Sequence, residues 1–160
     1  MSVHKLVRRL SISPSLLAAL ALIAVVPVSS HTEPDPWTPQ QTVQPADLAK
    51  ELENSKPAPT VVFVGFKRLY TAGHIKAAQY HGTAGSEEGL KEFSAWATSL
   101  PRTTNLVIYC GCCPMEKCPN IRPAFKTLQS LGFQKIRVLL LPNDFATDWA
   151  GKGLAYDKGN

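Results

Sequence analysis

Outside residues 110–118 this 160-residue chain has no cysteine at all, so no disulfide within it can tie distant segments together. Acidic residues are missing from the first thirty positions, and no Lys/Arg run interleaved with aromatics occurs after them. The first absence leaves a purely basic start. The second removes the electrostatic footprint on which nucleic-acid binding depends, so no nucleic-acid partner is expected. No internal repeat is present, which argues against solenoids and propellers. The longest apolar run falls short of the roughly 20 residues that span a bilayer, so no permanent membrane anchor is expected.

What stands at the N-terminus is a targeting pattern. "MSVHKLVRRL" carries Lys5, Arg8 and Arg9, "LLAALALIAVVPV" follows as an apolar core, and Val28 and Ser30 place small residues ahead of "HTEPDPW". This order of charged, apolar and small residues predicts a secretory signal peptide over residues 1–30, cleaved near Ser30, and an exported protein, periplasmic or secreted. Losing that segment lowers the net charge from +5 to +2, so the basic character belongs mostly to the leader. Arg8 and Arg9 form a twin-arginine pair, but Ser11 stands where such signals favour a large apolar residue, which favours ordinary export. Residues 31–42, rich in proline and polar residues, read as a flexible leader, and residues 43–160 as one domain.

Within the domain, short apolar runs alternate with amphipathic segments. "TVVFV", "NLVIY" and "KIRVLLL" suit buried strands. "QPADLAKELEN" places Leu48 and Leu52 one helical turn apart. "SEEGLKEFSAWATSL" offers Ser86 as N-cap, with Leu90, Phe93, Ala97 and Leu100 on one face. From Asn120, the residues Ile121, Ala124, Phe125, Leu128 and Leu131 form a helical stripe that stops at Gly132, and Asn143 with Asp144 opens a last short helix. "GHIKAAQYHG" reads as a turn leading into a brief strand. Strands of this kind alternating with helices predict an α/β domain whose mainly parallel sheet is covered on both faces.

All four cysteines lie in "YCGCCPMEKC", directly after the second strand. Cys110 ends that strand and a helix follows the loop, so backbone N–H groups and the helix dipole are expected to favour a thiolate at Cys110. Cys112, Cys113 and Cys118 lie further along a loop that contains Pro114 and Pro119. Bridges inside so short a segment constrain the unfolded chain little, which weakens a purely structural disulfide. Four thiols could hold a soft metal, although the spacing matches no familiar zinc or iron–sulfur pattern. Cys110 and Cys113 also satisfy C-x-x-C, the spacing of thiol redox motifs. Lys117 and Arg122 could attract an anionic sulfur donor at the helix start.

The succession "VVFV", "YTAGHIKAA", "LVIYC", a helix, "SLGFQKIRVLLL", then Phe145 and Trp149 resembles a rhodanese-like sulfurtransferase domain over residues 43–159. The resemblance implies a three-layer domain with helices on both faces of a mainly parallel central sheet. It also implies that Cys110 is the catalytic residue, accepting a sulfane sulfur as a persulfide and passing it to a thiol or other nucleophile. Cys112, Cys113 and Cys118 are then candidate resolving or relay thiols. The implied partners are a small sulfur-containing donor and a thiol acceptor, with no cofactor and no metal. His74 matches the family's pattern as a turn-orienting residue, and Gly73 beside it as a turn glycine. Three features depart from that pattern. The usual acid-x-Arg element falls on Phe63, Val64 and Gly65, the double glycine after the last strand is replaced around Pro142 and Asn143, and the cysteine loop is longer. The phosphatase spacing of cysteine, five residues and arginine is absent. The alternative is a non-catalytic soft-metal-binding or thiol-redox module on the same fold.

Overall fold

A computed structural model of the protein describes residues 34–159. The expected signal peptide, residues 1–30, lies outside the described residues. In chain order the elements are β1 (Thr42–Val43), α1 (Pro45–Asn54), β2 (Thr60–Phe63), α2 (Lys67–Ala72), β3 (His74–Ile75), β4 (Gln79–Tyr80), α3 (Glu87–Thr98), β5 (Asn105–Tyr109), α4 (Ile121–Ser130), β6 (Lys135–Leu139), α5 (Phe145–Asp148) and β7 (Tyr156–Asp157).

The apolar runs become strands because both of their faces can be covered. Five of them form one sheet in the order β1-β6-β5-β2-β4, every pair parallel. Successive side chains point to opposite faces. Val62, Leu106, Ile108 and Val138 therefore pack with Phe93 and Ala97 of α3 and with Ala124, Phe125 and Leu128 of α4. Their neighbours Val61, Phe63, Val107 and Tyr109 pack on the other side with Leu48 of α1, Tyr70 of α2 and Trp149. Each large side chain buried in this way contributes about 1.5–3 kcal/mol. The result is the three-layer α/β arrangement, with β5 at the centre of the sheet.

Helix starts follow their local chemistry. Ser86 accepts a hydrogen bond from the Gly89 N–H at 3.1 Å, with Glu87 and Glu88 in the first turn of α3. Asp144 caps α5 by accepting from the Thr147 N–H at 2.7 Å. Helix α2 was not legible in the sequence, because six residues with Tyr70 as the sole buried one give no apolar period. The described part of the expected flexible leader also differs. Trp37 sets its ring edge-on against Phe125 at a centroid distance of 5.5 Å, and residues Pro39–Gln41 form a single 3-10 turn before β1. Packing thus begins upstream of Val43, because a large aromatic finds an apolar partner on α4.

Candidate active site

Strand β5 delivers Cys110 to the carboxyl edge of the sheet, and α4 begins eleven residues later. The loop between them folds back so that the sulfurs meet. Cys110 Sγ lies 3.1 Å from Cys112 Sγ, which lies 3.2 Å from Cys113 Sγ. The sulfurs of Cys110, Cys112 and Cys118 all fall within 4.8 Å of one another. Cys110 and Cys118 are buried, while Cys112 and Cys113 are half-buried, and all four are free. The C-x-x-C pair, Cys110 and Cys113, is therefore not the closest pair. A cavity of about 10 Å³, room for one small atom, is lined by Cys110, Cys113, Met115, Cys118 and Ile121.

Two glycines make this packing feasible. A Cβ at Gly65 would stand 2.8 Å from Cys110 Sγ and 2.7 Å from the Phe63 ring, so the position that lacks the usual charged pair is also the one that opens space beside the sulfur. Gly111 turns the chain out of β5 with a φ of +66°, and its carbonyl accepts from the Phe145 N–H at 3.1 Å. A side chain there would be strained and would meet Phe145 Cβ at 2.7 Å. Gly73, by contrast, has a φ of 175°, an extended backbone open to any residue, so the expected need for glycine at that turn does not hold. His74 keeps its expected structural place: its Nδ1 lies 2.8 Å from the Tyr70 carbonyl and its ring stacks on Tyr70.

Asn120 is the residue that sequence reasoning missed. It stands at the N-cap of α4, where an asparagine ordinarily caps the helix, and its side chain makes no such bond. It is fully buried instead, its Oδ1 accepting from the Gly85 N–H at 2.8 Å. That bond fixes the amide's orientation and turns Nδ2 towards the sulfurs, 3.3 Å from Cys110 Sγ and 3.7 Å from Cys112 Sγ. Only its burial reveals this role; at a helix start, Asn is too common to signal it.

The free amides of α4 are taken by Cys118. The neighbouring Cys110 thiol and, against the cost of burial, the backbone N–H groups of Asn120 and Ile121 together lower its pKa to about 5. Cys110 moves the other way. The neighbouring Cys118 sulfur, burial and the Cys112 sulfur, to which its S–H donates, all raise it well above an ordinary thiol. Burial and the neighbouring sulfurs raise Cys113 to about 12. Of these sulfurs, Cys118 is thus the one whose thiolate the surroundings favour most. This corrects the expectation that loop amides would ionise Cys110 first: the amides belong to the helix, and Cys118 is the sulfur against its end.

The two candidate anion-binding residues fare differently. Arg122 is engaged, pairing with Asp35 at 2.6 Å, donating to the Met115 carbonyl at 3.3 Å and lying over the Trp37 ring. It braces the cysteine loop against residues 34–37. Lys117 is exposed in the 3-10 turn Met115–Lys117. Trp149 is core, and Trp96 is half-buried, stacked on His81.

No protein-family model matches the sequence, and no curated protein does either. Solved structures do. The Alr3790 protein from Anabaena sp. superposes with a TM-score of 0.57 at 20% identity, over 73% of this chain and 92% of the other. The rhodanese-like domain of the same Anabaena protein, solved by NMR, gives 0.54 at 22% identity over 74% and 79%. The BH2092 protein from Bacillus halodurans gives 0.54 at 19% over 73% and 76%. At these identities the likeness speaks for the fold alone, and together with the five-stranded parallel sheet it shows that this chain has a rhodanese-like fold with a cysteine cluster at the carboxyl edge of its sheet.

Proposed function

We propose that the protein is a sulfurtransferase in which Cys110 accepts a sulfane sulfur as a persulfide and hands it to a thiol. The observation that carries this reading is Asn120, buried and pinned by Gly85, with an N–H aimed at Cys110 Sγ. A buried donor held in place favours negative charge on the atom it faces. The thiolate of Cys118 supplies the other requirement, a base for the Cys110 proton.

In this scheme the two thiols share one proton, and it is the minor form, with the proton on Cys118 and the thiolate on Cys110 facing Asn120, that attacks the outer sulfur of the donor. The donor's S–S bond breaks, its remaining fragment leaves with the electron pair, and Cys110 carries a persulfide anion. An acceptor thiolate then attacks the terminal sulfur, forming a new persulfide and restoring the Cys110 thiolate. If a companion thiolate attacks Cys110 Sγ first, hydrosulfide leaves and an internal disulfide remains, to be reopened by an external dithiol. Cys112, the nearest sulfur, and Cys118 are placed for that attack.

The charged start and apolar core of residues 1–30 support a site of action outside the cytoplasm, with a mature N-terminus near His31. N-terminal sequencing of the exported protein checks that. The activity itself is tested by exposing reduced protein to thiosulfate or to glutathione persulfide without acceptor and reading the intact mass. Gain of one sulfur, or hydrosulfide release with loss of two hydrogens, is expected. Unchanged mass with both donors contradicts the reading.

A further inference from the structure

The same loop has a second chemistry available to it. Among the described residues, Cys110, Cys112 and Cys118 form the group of potential metal ligands, their sulfurs all within 4.8 Å of one another. No imidazole and no carboxylate belongs to that group, so its donors are uniformly soft. Two of them are buried, one directly after β5 and one closing the 3-10 turn Met115–Lys117 just before α4. We propose that these three cysteines bind one Cu(I) ion in a three-coordinate thiolate site.

Ligand type and number choose the ion. Thiolates select Cu(I), zinc and iron–sulfur clusters, and a structural zinc site is almost always tetrahedral. The fourth sulfur, Cys113, is adjacent in sequence to Cys112 and outside the close trio. Joint ligation of one ion by both neighbours would strain the loop, so a fourth corner is missing for zinc. Cu(I) tolerates fewer ligands and looser geometry.

The surroundings suit the charge such a site would carry. Three thiolates around a monovalent ion leave an excess of two negative charges. Asn120 Nδ2 faces two of the sulfurs, and the N–H groups at the start of α4 face the third. Hydrogen bonds of this kind support and orient coordinating groups. Binding forms three Cu–S bonds and releases to solvent the protons of those cysteines still in thiol form, with no change of oxidation state.

This inference stands apart from the sulfur-transfer reading, although both use the same sulfurs. Copper on the trio would block persulfide formation, and a thiol buffer strong enough to strip it would restore it. The experiment is anaerobic titration of the reduced full chain with Cu(I), supplied as its acetonitrile complex, against a chromophoric Cu(I) chelator. X-ray absorption of the loaded protein follows. Expected are one ion per chain and a first shell of three sulfurs. Cys110→Ser, Cys112→Ser and Cys118→Ser should each weaken retention by at least about 100-fold, which is the upper end of what losing a supporting group costs and hence a floor for losing a ligand. Cys113→Ser should leave retention unchanged. Failure to hold Cu(I) against the chelator overturns the proposal, as does a shell containing oxygen or nitrogen, or a Cys113→Ser loss equal to the others. If a serine variant does not fold, the wild-type shell and the Cys113→Ser titration decide. A chain that takes up sulfur but no copper removes this inference alone; one that holds copper and never accepts sulfur removes the sulfurtransferase alone.

Discussion

Cys110 and Cys118 are buried almost equally, at 4% and 5% exposure, yet the two ends of their loop do opposite things to them. The strand end offers Cys110 a fixed position and a side-chain donor, Asn120, but no backbone amide. The helix start offers Cys118 two backbone amides and the neighbouring Cys110 thiol. The strand therefore places the sulfur that faces Asn120, while the helix holds the charge. In a loop short enough to leave one amide-rich end for both thiols, a second cysteine against the helix can serve as the base for the first.

The strongest way to break this comparison is to remove the placed sulfur. Cys110→Ser should lower single-turnover persulfide formation by at least about 10³-fold, as expected for loss of a nucleophile, with the far-ultraviolet circular dichroism unchanged. Cys118→Ser should slow the same step by about 10²-fold, the scale of a lost general base. The pH profile sharpens this. Cys118 is an acid whose pKa is lowered to about 5, so its thiolate is present above that pH and disappears as pH falls through it. Sulfur acceptance by the unmodified protein should fall off there, and in Cys118→Ser the rise should move up towards the ordinary thiol range near about 8.5. An unchanged profile would detach Cys118 from the chemistry.

Asn120→Ala should cost about 10- to 100-fold in the same assay, below or at the lower end of a lost oxyanion donor because sulfur is the weaker acceptor. Asn120→Asp should lose more, since it retains an acceptor for Gly85 and puts a negative charge beside Cys110. The smallest effect belongs far from the site. Glu51 forms a bidentate pair with Arg137, both contacts 2.7 Å, and that hydrogen bond, outweighing burial, lowers its pKa. Glu51→Gln should reduce stability by no more than about 1 kcal/mol at neutral pH and leave sulfur acceptance unaltered. Because the folded pKa is lowered, the contribution is fully present above the unfolded value near about 4.3 and fades as pH falls through the folded one. Urea melts of the two proteins should converge there.

The α/β alternation, the buried strands and the position of Cys110 were legible because each rests on a period or a run: "LVIYC" is continuous apolar sequence and Ile121 to Leu128 a helical stripe. The pairing of β3 with β7 was not, since each has two residues and the register is set by tertiary packing. The cysteine loop was legible as a cluster but not in its ranking. Strand position made Cys110 the sulfur expected nearest the amides, whereas Cys118, two residues before the N-cap Asn120, is the one against the start of α4. Asn120 read as a helix start; only the bond from Gly85, 35 positions away, turns it towards the sulfur. Arg122 read as an anion site and is a brace because Asp35 and Trp37, assigned to a leader, fold onto it.

Locating the accepted sulfur tests the central claim most directly. Trypsin cuts after Lys117, which separates Cys118 from the peptide that carries Cys110, Cys112 and Cys113. The reduced protein is given a sulfane donor for a single turnover, alkylated at once in acid, digested and fragmented in the mass spectrometer. The account predicts the added sulfur on Cys110, with Cys118 alkylated but otherwise unmodified. Added sulfur on Cys118 with Cys110 still a plain thiol would make the helix-bound thiolate the nucleophile and contradict it.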